Sequence, residues 1–139
     1  MHQTVFVAHE PADGATSLVN APIIVDGEDF GGIQLAATTL TKDIAQVTGE
    51  QEPSIDSERT ASPCVIIVGS VQRSTFIQGL ASSGRIDVSA VEGKWETWCT
   101  VLVDAPWDGC AKALVICGSD KRGTIFGIYS MSEQIGVSP

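Results

Sequence analysis

The sequence predicts an α/β fold, a mixed β-sheet with packed helices, from three observations. The first is Cys64 to Val68, a continuously apolar, β-branched run of the kind found in strands covered on both faces. The second is helical spacing through Ile33, Ala36, Ala37, Leu40, Ile44 and Val47, between two strand-like runs, as in a parallel crossover. The third is a pair of strand-like runs joined by a turn containing Asp108-Gly109, which predicts an antiparallel hairpin. Together they give the order β, β, α, β, α, β, β, α in a single domain of 139 residues.

Each element has a local reason. TVFVAH, Thr4 to His9, reads as a strand within a poorly ordered lead-in over residues 1–20. APIIVD, Ala21 to Asp26, is the next strand, with Pro22 at its start, where a missing N–H is tolerated. Gly27 opens a turn into the first helix, for which Asp29 is the expected N-cap and Gly49 the residue beyond its end. Glu50 to Pro63 is polar and reads as a surface loop. After Cys64–Val68, Ser70 or Ser74 caps a short helix through Phe76, Ile77 and Leu80, which Gly84 closes. Trp95 to Trp107 alternates as a long, half-exposed strand, and Lys112 to Ser119 is its partner. The last helix starts at Ser119 or Asp120. VIIVGSVQRS and LVICGSDKRG echo one another, because two strand-to-helix turns use glycine for the tight turn and serine for the cap.

Composition narrows the function. Eight basic against seventeen acidic residues give a formal charge of −9. That balance argues against general affinity for nucleic acid or anionic membrane. No apolar run approaches the ~20 residues needed to cross a bilayer. Cys64, Cys99, Cys110 and Cys117 lack zinc-ligand spacing and read as buried structural thiols, so neither a metal nor a cofactor is expected. MHQTVFVAHEPADG has no charged segment followed by an apolar one and is not a secretory signal.

Candidate sites concentrate near the end of the chain. GSDKRGT, Gly118 to Thr124, begins like a phosphate loop but has Thr124 where lysine is required. A helix N-terminus beside Lys121 and Arg122 still suits an anion, so one reading is an anion- or nucleotide-binding domain using the Gly118–Gly123 turn. Gly123 and Gly127 lie four apart and predict close approach to the sheet or to a neighbouring domain. Ile125, Phe126, Ile128, Tyr129, Met131 and Ile135 cover more than one narrow stripe. So wide an apolar face favours a second contact, as in an interaction module. The carboxylate pairs Glu92/Glu96, Asp104/Asp108, Asp26/Asp29 and Asp120/Glu133 read as surface charge. Trp95, Trp98 and Trp107 invite a sugar-stacking platform, but Trp95 and Trp98 fall on opposite sides of a strand.

The segments PIIVDGEDFGGIQLAATTLTKDIAQVTG, VIIVGS, GKWETW and ALVICGSDKRGTIFGIYSMSEQIGVSP resemble the N-terminal domain of glycoside hydrolase family 115, from about Ala21 onward. Members of that family are xylan α-1,2-glucuronidases. The resemblance implies a parent enzyme that removes glucuronic acid or its 4-O-methyl ether from glucuronoxylan with inversion, using two carboxyl groups roughly 6.5–9.5 Å apart. Those groups belong to a (β/α) barrel expected after residue 139. Residues 1–139 are then an accessory domain with no catalytic residue, and the parent's own barrel is the partner. The resemblance further implies that Ser119, Asp120, Lys121 and Arg122 lie near the uronic-acid site. Gly123, Phe126, Gly127 and Tyr129 would meet the barrel. It also implies secretion, although this N-terminus carries no signal.

Overall fold

The structure, a computed structural model, describes residues 21–49 and 51–135, so the predicted strand at Thr4–His9 lies outside the described residues. The elements are β1 (Ile23–Val25), α1 (Gly31–Thr48), β2 (Ile55–Asp56), β3 (Ser62–Ser70), α2 (Thr75–Ser82), β4 (Trp98–Asp104), β5 (Cys110–Gly118) and α3 (Lys121–Ile135). They form one five-stranded sheet in the order β2-β1-β3-β5-β4. β1 is parallel to β2 and β3, β3 is parallel to β5, and only β4 runs antiparallel, against β5. The mixed α/β sheet, the β1-to-β3 crossover and the late hairpin match the sequence reading.

Helices cover both faces, which is why the middles of the central strands, Cys64 to Val68 and Ala113 to Cys117, are apolar at every position. Ile66, Val68, Leu114 and Ile116 point into a core with Ile33, Ala37, Leu40 and Ile44 of α1 and Ile128 and Met131 of α3. Their neighbours Val65, Ile67, Ala113, Val115 and Cys117 point the other way, onto Ile77 and Leu80 of α2, Ile86, Val91 and Trp107. The chain therefore leaves β3 toward one face and β5 toward the other.

Two local expectations are corrected. The polar loop contains β2, whose Ile55 and Asp56 pair with Ile23 and Ile24 at the sheet edge. The Trp95–Trp107 strand is shorter than its alternation suggests. Glu96 at φ 48° ends it on one side and Ala105 at φ 46° on the other.

The carboxyl ends of the strands are tied by two buried aspartates. Asp29 is not the α1 N-cap; Phe30 holds that position without a side-chain bond. The Asp29 carboxylate instead accepts the Ser70 N–H at 2.9 Å, the Ser70 hydroxyl at 2.8 Å and the Phe30 N–H at 2.8 Å. Asp26 accepts the Thr75 N–H at 2.8 Å, the Thr75 hydroxyl at 2.6 Å and the Glu28 N–H at 2.8 Å. Burial pushes the Asp26 carboxyl up, but those three hydrogen bonds outweigh it and hold the carboxyl below its usual range. The Asp26/Asp29 pair is thus buried structure rather than surface charge. Gly49, at φ 74°, closes α1 as expected, donating to the Ala45 carbonyl at 2.9 Å. Ser74 rather than Ser70 caps α2, accepting the Ile77 N–H at 3.3 Å.

All four cysteines are free thiols; Cys64, Cys110 and Cys117 are buried and Cys99 is half-buried. Cys99 faces Cys117 across the β4–β5 ladder. A hydrogen bond between the two thiols pulls Cys99 below its usual range and, with burial, drives Cys117 far above it.

Candidate functional site

The residues singled out in GSDKRGT form a latch. Gly118, the end of β5, has the first turn of α3 packed onto it. A Cβ there would collide with Thr124 Oγ1 and the Thr124 backbone. Gly69 at the end of β3 is pressed in the same way by Ser74, whose Cβ lies 2.5 Å from where a Cβ would stand. The two echoing strings therefore share the tightly packed glycine but not the serine cap: Ser74 caps α2 and Asp120 caps α3, so Ser70 and Ser119 cap neither helix.

Beyond Gly118 the chain grips the segment before β4. The Ser119 N–H donates to the Thr97 carbonyl at 2.8 Å, and the Thr97 N–H donates back to Ser119 Oγ at 3.0 Å. Asp120 caps α3 by accepting the Gly123 N–H at 2.7 Å, while its other oxygen accepts the Glu96 N–H at 3.0 Å. Arg122 pairs with Glu96 at 3.0 Å on the surface, where such a pair adds little stability. Four bonds thus hold a turn whose Glu96 occupies the left-handed region, a conformation that persists only where its surroundings enforce it.

This geometry revises the roles expected of these residues. Ser119 is buried and both Asp120 oxygens are engaged by backbone N–H groups of the domain. Lys121 is exposed, its stem against Gly32 at the start of α1, while Arg122 turns to Glu96. The four do not converge on one point. The Gly118–Gly123 turn is filled by Thr124 and the Asp120 carboxylate, which stands where an anion would sit. The two glycines are taken up inside the domain. A Cβ on Gly123 would strike the Thr97 carbonyl oxygen, and one on Gly127 would lie 2.8 Å from Ile116 Cγ2 and 3.0 Å from the Trp98 ring. Their close approach is to this sheet and its entry turn, not to an outside neighbour. The wide apolar face of α3 has a matching explanation, because the helix packs on β5, β4 and α1 together. Phe126 stacks edge-on against Trp98, with ring centroids 6.4 Å apart, and Tyr129 stands half exposed.

Composition-based reasoning missed the cleft beside the latch. An open cleft of about 480 Å³ lies outside the carboxyl ends of β3 and β5. Val71 and Gln72 line one side, Ser119 and Asp120 another, and Glu92, Gly93, Lys94 and Trp95 the third. The three tryptophans separate: Trp98 and Trp107 are buried, whereas Trp95 is 86% exposed. The mixed polar and aromatic string GKWETW was the available signal. Among the described residues no group of His, Cys, Asp and Glu is placed to hold a metal, and no helix is long and apolar enough to cross a membrane.

No protein-family model and no curated protein matches the chain in sequence. Solved structures do match. One is a family GH115 4-O-methyl-α-glucuronidase, BtGH115A, with specificity for decorated arabinogalactans. It superposes with a TM-score of 0.65 at 26% sequence identity, over 86% of this chain and 14% of the enzyme's own chain. The fold is similar to that of a domain of this GH115 enzyme. The likeness is to a small part of a glycoside hydrolase, which makes this a glycosidase-associated fold.

Proposed function

We propose that the chain is an accessory domain of an α-glucuronidase whose catalytic carboxyl groups lie in another part of its polypeptide. The observation that carries this reading is the likeness to one seventh of a GH115 enzyme, 14% of that chain, extending over 86% of this one. The site agrees. Asp26, Asp29 and Asp120, the buried or bonded carboxylates at the strand ends, are each committed to groups of the domain itself. An inverting hydrolysis needs two carboxyl groups facing each other across a water-sized gap.

The parent's substrate is a plant glycan bearing glucuronic acid or its 4-O-methyl ether. The motif resemblance favours glucuronoxylan, and the specificity of BtGH115A adds decorated arabinogalactan as the comparison to run. Within the parent, Tyr129 and the outer edge of Phe126 form the face toward the barrel. Lys121 is the cation of the original four that has no acidic partner among the described residues, and it is the one assigned to the substrate carboxylate.

Uronic-acid release tests the reading. The 139-residue chain alone is expected to release none from either glycan, while a longer polypeptide carrying it together with its catalytic part releases the acid. Release by the 139-residue chain would overturn the accessory role. A longer polypeptide inactive on both glycans would overturn the glucuronidase assignment.

A further inference from the structure

We infer that the cleft outside β3 and β5 is a carbohydrate subsite, with Trp95 as the stacking platform for a pyranose ring. Three independent observations converge on it. The cleft lies at the point where the connections from two adjacent parallel strands diverge to opposite faces. In open α/β sheets that is where the backbone leaves a crevice for ligands. Its volume of about 480 Å³ falls in the range of small-molecule sites, roughly 300–1,000 Å³.

The second observation is the platform. A tryptophan 86% exposed leaves a large apolar face in water, and here that face stands at the rim of a concavity. Its position is enforced: Glu96, the next residue, is held at φ 48° by the Asp120 latch, and the Thr97 hydroxyl donates to the Trp95 carbonyl at 2.8 Å. A turn kept in an unfavourable conformation by hydrogen bonds on both sides gives the Trp95 backbone, and so the root of the indole, a defined place beside the cleft.

The third is the lining. Gln72, Glu92 and Lys94 border the cleft with side chains that bond to no other described residue, leaving donors and acceptors around one aromatic face. A sugar ring has that complement, an apolar C–H face to stack and hydroxyls around its edge. A protein interface would centre on a contiguous apolar patch with charge excluded from its middle, whereas charged Glu92 and Lys94 flank Trp95.

Affinity electrophoresis of the protein tests this, in native gels cast with glucuronoxylan, arabinogalactan or hydroxyethylcellulose. The choice of glycans rests on the proposed function. Slowed migration is expected in at least one uronate-bearing glycan. Trp95→Ala is expected to weaken it about tenfold, and Trp95→Phe less. Leu102→Ala, which removes an exposed apolar side chain from β4, keeps it. Equal slowing of wild type and Trp95→Ala would place binding elsewhere and overturn the inference, as would no slowing in any glycan. Neither outcome touches the uronic-acid release of the longer polypeptide, so the subsite and the proposed function fail separately.

Discussion

Gly118→Ala is expected to lower the melting temperature by about 10 °C, the largest loss from an added methyl group at any of the described glycines. The new Cβ would lie 2.5 Å from Thr124 Cα and closer still to the Thr124 nitrogen and hydroxyl oxygen. These are atoms of the first turn of α3, not the free end of a flexible side chain. The helix must therefore lift from β5, and it carries Ile128 and Met131, each 1% exposed, into the core. Overpacking against backbone of this kind costs about 3 kcal/mol. Gly79→Ala is the matched control. It sits inside α2 with nothing within 4 Å of the added carbon. Removing a helix-interior glycine should there gain about 0.5–1 kcal/mol. Thermal melts followed by circular dichroism decide it. If both variants melted within about 2 °C of wild type, the packing of α3 on β5 would be wrong.

Asp26→Ala should also be damaging, by about 2 kcal/mol at neutral pH, because it removes the charged acceptor of three part-buried hydrogen bonds, from the Thr75 N–H and hydroxyl and from the Glu28 N–H. Its cost should also depend on pH in a defined direction. The folded-state pKa of Asp26 lies below its unfolded value of about 3.9, so the unfolded chain takes up the proton first. The carboxylate's contribution is complete above that value and disappears as pH falls through the depressed folded pKa. Urea midpoints for wild type and Asp26→Ala should stay far apart from pH 7 to about 5 and converge below about 4. A gap unchanged at pH 3 would contradict the assignment.

The sequence pattern was informative where periodicity and burial coincide. α1 keeps its expected stripe as far as Ile44, with Ile33, Ala36, Ala37, Leu40 and Ile44 all buried, whereas Val47 in its last turn is exposed. β3 and β5 are apolar on both faces because helices cover both. The failures have a common cause in contacts between residues distant in sequence. Asp29 follows a turn and precedes a helix, the ordinary setting of an N-cap, yet Ser70, 41 residues on, claims its carboxylate. β2 is two residues long and exists because an edge of β1 was open to it. Glu96 and Ala105 adopt positive φ without glycine to mark them, so the alternation from Trp95 to Trp107 outran the strand. At the site, the charged string SDKR suggested ligand contact. Its Ser119 and Asp120 line the cleft but spend their side chains on the Glu96 and Thr97 amides, and so fix the turn that follows the exposed Trp95.

GKWETW and GSDKRG form one structural unit, in which Ser119 and Asp120 pin the turn that carries Trp95 to the cleft. Amide hydrogen exchange at Glu96 and Thr97 tests it directly, in the wild-type protein and in Asp120→Ala. Both amides donate to the latch, to Asp120 Oδ2 and Ser119 Oγ respectively. Slow exchange is expected at both in wild type. In Asp120→Ala faster exchange is expected at Glu96 and at Gly123, with the central strands unchanged. Rapid exchange at Glu96 and Thr97 in the wild-type protein would contradict it, and Trp95 would then have no fixed place beside the cleft.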